Sequence, residues 1–242
     1  MIAIDVGNSK VKIAIFEGEY IRKRYTLDTD RCTEIEFFQS NIKEDLDKQV
    51  IAFSSVVPAV SEIIKKVANS TGIYSFDIKK AKDKILIFDY EISQLGGDRL
   101  ANVVAAYKRY SPPILVVDFG TATTYDVISS DGHFLGGVIS PGIRTSIDFL
   151  VNRTGLLPGV SLQYPEGILG NNTKDAIVSG FYYTFVGQMK EMTENIKKIV
   201  GRELTVVGTG GLLEFAKRDF PEIIPDYNLT LYGIKILYET NR

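Results

Sequence analysis

The sequence predicts a mixed α/β chain built as two related halves. Apolar runs short enough to be strands alternate with segments of helical spacing, the pattern of an α/β domain. An acid-x-Gly turn between two strands occurs at Asp5-Val6-Gly7-Asn8 and again, nearly half the chain later, at Asp118-Phe119-Gly120-Thr121. After each turn come a strand, a second small turn (Glu17-Gly18, then Ser130-Asp131-Gly132) and a further strand. A three-residue signature recurs by chance as well, but matching flanks point to duplication, with halves at 1–112 and 113–242.

In the first half, Ile2 and Ile4 lead to Asp5, and Val11, Ile13 and Ile15 alternate as a half-buried strand does. A third strand is expected over Tyr20–Leu27, a helix over Thr33–Ile42 and a short buried strand over Val50–Phe53. Pro58 opens a helix through Ala68 with Val60, Ile63, Ile64 and Val67 on one face, and Ile73–Phe76 reads as another strand. A helix over Ala101–Tyr110 joins the halves. The second half offers the strand pair around Gly120 and a strand over Phe134–Ile139. Helices near Ile143–Val151 and Thr173–Val200, a strand over Leu204–Val207, and helices near Leu212–Lys217 and Leu229–Tyr238 follow.

Composition excludes several classes of function. A net charge of -2 gives no general electrostatic attraction to nucleic acid or anionic membrane, so neither is expected as a partner. A single cysteine, Cys32, forms no internal disulfide, and with a single histidine it rules out Cys/His zinc sites. No apolar run approaches a membrane span, and Asp5 interrupts the N-terminal apolar run as no signal peptide would. A cytoplasmic protein is the expectation.

The chemistry concentrates at the turns. In Ile114–Val127, an apolar strand ends in Asp118, and Gly120 with Thr121, Thr123 and Thr124 follows, a bend whose amides and hydroxyls can donate to phosphoryl oxygens. Asp118 at its mouth can hold a cation beside them. Two such turns facing one another can hold a metal–phosphate complex between domains. There is no G-x-x-x-x-G-K-[ST], so the chain is not a P-loop protein. Between the halves, Gly96-Gly97-Asp98-Arg99 runs into a helix. Asp98 there can simply cap the helix, and Arg99 can be a solvated charge; equally, a carboxylate after two glycines can take the proton of an acceptor hydroxyl. Lys12 can neutralise a terminal phosphate or stand as an ordinary strand residue. Thr121 and Thr123 can be phosphate donors or plain β-formers.

Taken together, D-V-G-N-S-x-x-K at Asp5–Lys12, S-S-V-V-P at Ser54–Pro58, L-G-G-D-R at Leu95–Arg99 and D-F-G-T-A-T-T at Asp118–Thr124 resemble the type III pantothenate kinases. So do G-G-x-I-x-P-G-I at Gly136–Ile143, N-T at Asn172-Thr173 and G-T-G-G at Gly208–Gly211. The wider resemblance is to the acetate and sugar kinase, Hsp70 and actin superfamily, which implies two duplicated ribonuclease-H-like domains, mixed sheets flanked by helices, in an actin-like ATPase fold. It also implies transfer of the ATP γ-phosphoryl to the primary hydroxyl of pantothenate, the first step of coenzyme A biosynthesis. By that resemblance Asp98 is the general base. Asp5, Gly7, Asn8, Lys12, Gly120, Thr121, Thr123, Gly210 and Gly211 bind ATP and its phosphates. Tyr90, Gly96, Gly97, Arg99, Gly142, Ile143 and Thr173 approach pantothenate, and Asp118 with Thr173 holds a monovalent cation, potassium or ammonium, beside Mg2+. A homodimer with the pantothenate pocket at the subunit interface is implied as well. The chain departs from the family pattern at Gly97, where Ala is common, at Tyr90, which lacks the usual following Asn-Pro, and at Ile143, where Leu is common.

Other segments have plainer readings. Gly208–Gly211 after an apolar run lines a nucleotide or is a tight turn, and it lacks the full Rossmann spacing. The stretch 152–173, with two prolines and little periodicity, is expected to be a long loop, a lid or an interface segment. Phe181, Tyr182, Tyr183 and Phe185 read as core or dimer packing, and His133 receives no role. The alternative function is a non-catalytic regulatory or accessory binding protein on the same fold. It predicts a nucleic-acid surface or degraded catalytic positions, whereas Asp5, Asp98 and Asp118 are all present.

Overall fold

The computed structural model describes residues 1–46, 50–82, 85–154 and 157–242, and its chain groups into two compact units. The first unit comprises Met1–Tyr110, Gly132–Phe134 and Asn228–Arg242; the second comprises Ser111–Asp131 and Leu135–Tyr227. Both sheets repeat one plan.

In the first unit the elements run β1 (Ile2–Val6), β2 (Lys10–Glu17), β3 (Tyr20–Asp28), α1 (Ile35–Ile42), β4 (Ile51–Ser55), α2 (Pro58–Thr71) and β5 (Ser75–Asp77). The sheet order is β3-β2-β1-β4-β5, with β1 antiparallel to β2 and parallel to β4. A central strand is covered on both faces, which is why Ile2, Ala3 and Ile4 are all fully buried. The side chains of Ile13, Ile15, Phe38, Phe53, Val60 and Ile64 join the core around them. Pro58 begins α2 at its first turn, and Gly72, at φ 69°, ends it in the left-handed conformation that glycine adopts without strain. Two further elements belong here: the two-residue β6 (Ile87–Phe88), which no sequence pattern announced, and α3 (Gly97–Arg109). The latter starts four residues before the expected Ala101 because Gly96 is its cap.

The second unit holds β7 (Ile114–Phe119), β8 (Ala122–Ile128), β9 (His133–Pro141), α4 (Ile143–Arg153), α5 (Thr173–Val200), β10 (Thr205–Thr209), α6 (Leu213–Lys217) and β11 (Ile224–Pro225). Its strands run β9-β8-β7-β10-β11, with β7 antiparallel to β8 and parallel to β10. This is the order of the first sheet, element for element, so the expected duplication is present in the topology. The first residues of β9, His133 and Phe134, group with the first unit and pair with β6. The expected strand 204–207 in fact continues through Gly208 and Thr209. Tyr182 and Phe185 of α5 lie in the core, and Tyr183 is exposed. Residues 152–173 carry no regular element beyond the end of α4 and the first residue of α5 among those described; Gly155 and Leu156 lie outside them. Tyr164 from this stretch stacks on Phe215 with centroids 4.6 Å apart.

α7 (Leu229–Thr240) groups with the first unit, where it packs along α3. Thr230 Oγ1 donates to Asn102 Oδ1 at 2.8 Å in the buried seam. Lys235, 2% exposed, reaches Glu19 at 2.7 Å and Glu239 at 2.9 Å. No described helix is long and apolar enough to cross a membrane.

The helices meet so closely at Gly233 that a side chain there would overlap the carbonyl of Ala101. Gly233→Ala is expected to lower unfolding free energy by about 1–3 kcal/mol, although alanine is the better helix former. Chemical denaturation measures it, and a stability equal to that of the parent contradicts the close crossing.

Candidate active site

Each unit presents one acidic strand end and one glycine turn. In the first, β1 pairs Asp5 with Lys12 on β2 and with Ser54 on β4. Residues directly opposed across a sheet project to the same face, so an acid, a lysine and a hydroxyl stand in one row. The turn is short: Val6 and Val11 still pair, and Gly7 N–H donates to Lys10 O at 3.0 Å. Thr29, 3% exposed, braces it by donating from Oγ1 to Gly7 O at 2.8 Å. Asn8 is exposed at the tip.

α3 begins against this strand end. A Cβ on Gly97 would lie 2.7 Å from Ser54 Oγ, so the first turn of the helix rests on the residue paired with Asp5. With Gly96 as cap, Asp98 is in the first turn, and its Oδ1 accepts from Arg99 N–H at 2.8 Å. Its carboxylate folds back over Gly96, where a side chain would come within 2.6 Å of Oδ1. An anion at a helix N-terminus is favoured by the unpaired amides there. Arg99 is only 6% exposed, and its guanidinium lies 5.9 Å from the Tyr90 ring centroid. Tyr90 in turn packs edge-on against Phe134, 5.7 Å away. The structure thus brings Asp5, Lys12, Gly97 and Asp98 to one end of the first sheet, and seats Tyr90 beside Arg99.

The second unit repeats the arrangement. Asp118 pairs with Thr124 on β8 and with Thr209 on β10. Gly120 N–H donates to Ala122 O at 3.1 Å, closing a turn one residue shorter than the first. Gly142 caps α4 directly over this turn: its N–H donates to Thr121 O at 2.9 Å, and Thr145 Oγ1 donates to the same oxygen at 2.7 Å. The Asp118 carboxylate overlies Gly210, whose φ of 95° and lack of a side chain both make room for it. Gly211 is exposed, with open space where a side chain would stand. The side chain of Ile143 is buried in the core, leaving its backbone at the start of α4 as what a ligand can meet. Thr173 is exposed at the start of α5, where Asn172 Oδ1 caps Asp175 N–H at 3.0 Å.

Sequence reading singled out Thr123, which stands in register with Phe119 on the core side and is 3% exposed. Thr124, grouped with it in the bend, instead shares the row of Asp118, and Ser54 and Thr209, which carried no assigned role, flank the two acids. Three strand pairings, invisible to any local pattern, identify these three.

Among the described residues no three His, Cys, Asp or Glu side chains gather as a metal cage. A cation at Asp118 therefore has one carboxylate, hydroxyls, carbonyls and phosphate oxygens to draw on, a hard oxygen set that suits Mg2+ or a monovalent ion. The Oγ1 atoms of Thr124 and Thr209 fit such an occupant, since both are buried and neither has a hydrogen-bond partner among the described residues.

The family model for type III pantothenate kinase matches residues 1–195. Among solved structures, a Campylobacter jejuni protein described as of the Baf family of transcriptional activators aligns over 100% of this chain and 98% of its own, at 24% identity and TM-score 0.65. A 2-dehydro-3-deoxygalactonokinase protein from Sinorhizobium meliloti aligns over 99% and 96% at 11% identity, TM-score 0.63. The ethanolamine utilization protein EutJ from Carboxydothermus hydrogenoformans aligns over 98% and 89% at 15% identity, TM-score 0.56. At these identities the likeness is one of fold, the actin-like ATPase fold.

Gly210→Ala forces a side chain against the Asp118 carboxylate at a left-handed φ. Loss of MgATP binding and a fall in kcat/KM of about 100-fold are expected. Isothermal titration and steady-state rates measure them, and near-parental binding contradicts the packing of Asp118 over Gly210.

Proposed function

This chain belongs to the type III pantothenate kinase family, whose members phosphorylate pantothenate, and we propose how its residues divide that work. Asp98 accepts the proton of the pantothenate primary hydroxyl as that oxygen attacks the γ-phosphorus of ATP, and ADP leaves. The observation that carries this role is the seating of Gly97 on Ser54, which sets a carboxylate at a helix N-terminus next to the strand end that carries Asp5. Phosphoryl transfer requires positioning and charge neutralisation more than covalent chemistry from the protein. Lys12 and the turn of Gly7 and Asn8 neutralise and hold phosphate oxygens. Gly120, Thr121 and the backbone of Thr123 hold phosphate oxygens as well, and Gly210 and Gly211 line the nucleotide. Arg99, Tyr90, Gly96, Gly97, Gly142, Ile143 and Thr173 bind pantothenate.

Magnesium held with the phosphates supplies charge compensation for the transferring group, and potassium or ammonium at Asp118 and Thr173 completes the cation complement. The working unit is a homodimer with the substrate pocket at its interface, Thr173 being contributed across it. Exposed apolar side chains support this: Leu135, Val138 and Ile139 on β9, Phe149 on α4 and Tyr183 on α5. A cytoplasmic setting agrees with Cys32, a free and buried cysteine whose thiol burial pushes up to about 11.

Asp98→Asn is expected to lower kcat by about 1,000-fold or more while leaving the thermal midpoint and the dimer unchanged. A coupled ADP-release assay with pantothenate measures it, and near-normal turnover removes Asp98 as the base. The double variant Ile139→Glu with Phe149→Glu is expected to sediment as a monomer and lose pantothenate turnover. A dimeric double variant places the interface elsewhere.

A further inference from the structure

Thr124, Asp118 and Thr209 form a row across three adjacent strands of the second sheet. Directly opposed side chains share a face, so a hydroxyl stands on each side of the carboxylate. Thr209 is 1% exposed. Four buried side-chain atoms have no hydrogen-bond partner among the described residues, and two of them are the hydroxyls of this row. Buried hydroxyls in folded proteins are nearly always paired, and an unpaired one weakens the fold. In the first sheet the corresponding row reads Lys12, Asp5, Ser54, with a long flexible cation opposite the acid where the second sheet has a short hydroxyl.

We propose that Thr124 and Thr209 are kept unpaired for a hard cation at Asp118, their hydroxyl oxygens completing its oxygen shell from both sides. Thr124 and Thr209 would hold a monovalent ion or magnesium through oxygen alone, the ligand type both ions take. An anionic occupant is excluded by the carboxylate at the centre of the row, and an apolar one leaves both hydroxyls unsatisfied. The proposal rests on the reading of Asp118 as the cation carboxylate and adds two positioning residues to it.

Thr124→Val and Thr209→Val remove the hydroxyls and nearly keep the shape. Thermal unfolding is followed without ligand, then with MgATP in potassium chloride against choline chloride at equal ionic strength, and across a magnesium titration. The ligand-free Tm is expected to stay level or rise, since an unpaired polar atom is gone. The cation concentration giving half the nucleotide-dependent Tm shift is expected to rise roughly tenfold, for potassium if contact is direct and for magnesium if it runs through water. Thr209→Ser and Thr124→Ser are expected to restore the response. A lowered ligand-free Tm in the valine variants, or an unchanged response to both cations, overturns the proposal. A parent protein that binds MgATP with potassium dependence yet leaves pantothenate unphosphorylated removes the substrate assignment and leaves this row standing.

Discussion

In each sheet the middle strand is hydrogen-bonded on both sides, antiparallel to one neighbour and parallel to the other, and that pairing decides what stands beside its terminal acid. β1 delivers Asp5 between Lys12 and Ser54; β7 delivers Asp118 between Thr124 and Thr209. A slip of one residue in any of these ladders turns the whole row to the other face. The apolar residues of β1 and β7 prevent the slip, because both strands are buried along most of their length. Hydrophobic burial is therefore what holds the polar site in alignment, even though no apolar atom takes part in the chemistry.

Polar burial elsewhere in the molecule follows a different rule. Asp45, 3% exposed, accepts from Tyr25 and from Arg22, each at 2.5 Å. Asn102 and Thr230 satisfy one another between α3 and α7. These groups are closed pairs that fix geometry and leave nothing for a ligand. At the end of β7 the pattern changes, and unpaired hydroxyls flank a carboxylate with glycine beneath it. Two of the four unpaired buried polar atoms among the described residues thus gather beside one carboxylate, and stability given up there is what a binding surface requires.

Much of this architecture was legible in the chain. The turns at Gly7 and Gly120 follow from an apolar run, an acid and a glycine, and α2 opens at Pro58, a local signal, although it runs past the expected Ala68 to Thr71 and ends at Gly72. Asp98 was placed in a first helical turn because two glycines precede it, although the helix began at Gly97 and not at Ala101. What escaped was non-local. β6 and β11 have two residues each, too few for any periodicity, and exist only through their neighbours. The run Thr121–Thr124 offers several hydroxyls, and composition cannot say which shares a face with Asp118; only the pairing of β7 with β8 separates Thr124 from Thr123. Ser54 and Thr209 escaped for the same reason, each lying on a strand distant in sequence from the acid it flanks.

The return of α7 to the first unit has a consequence for biosynthesis. Residues up to Tyr110 leave the ribosome with β1 to β5 and α3 complete, yet the α3 surface around Ala101 and Asn102 stays bare until the entire second unit has been made. Such long-range closure is slow to form and leaves apolar surface open meanwhile. The first unit is thus completed only when a helix encoded far downstream arrives.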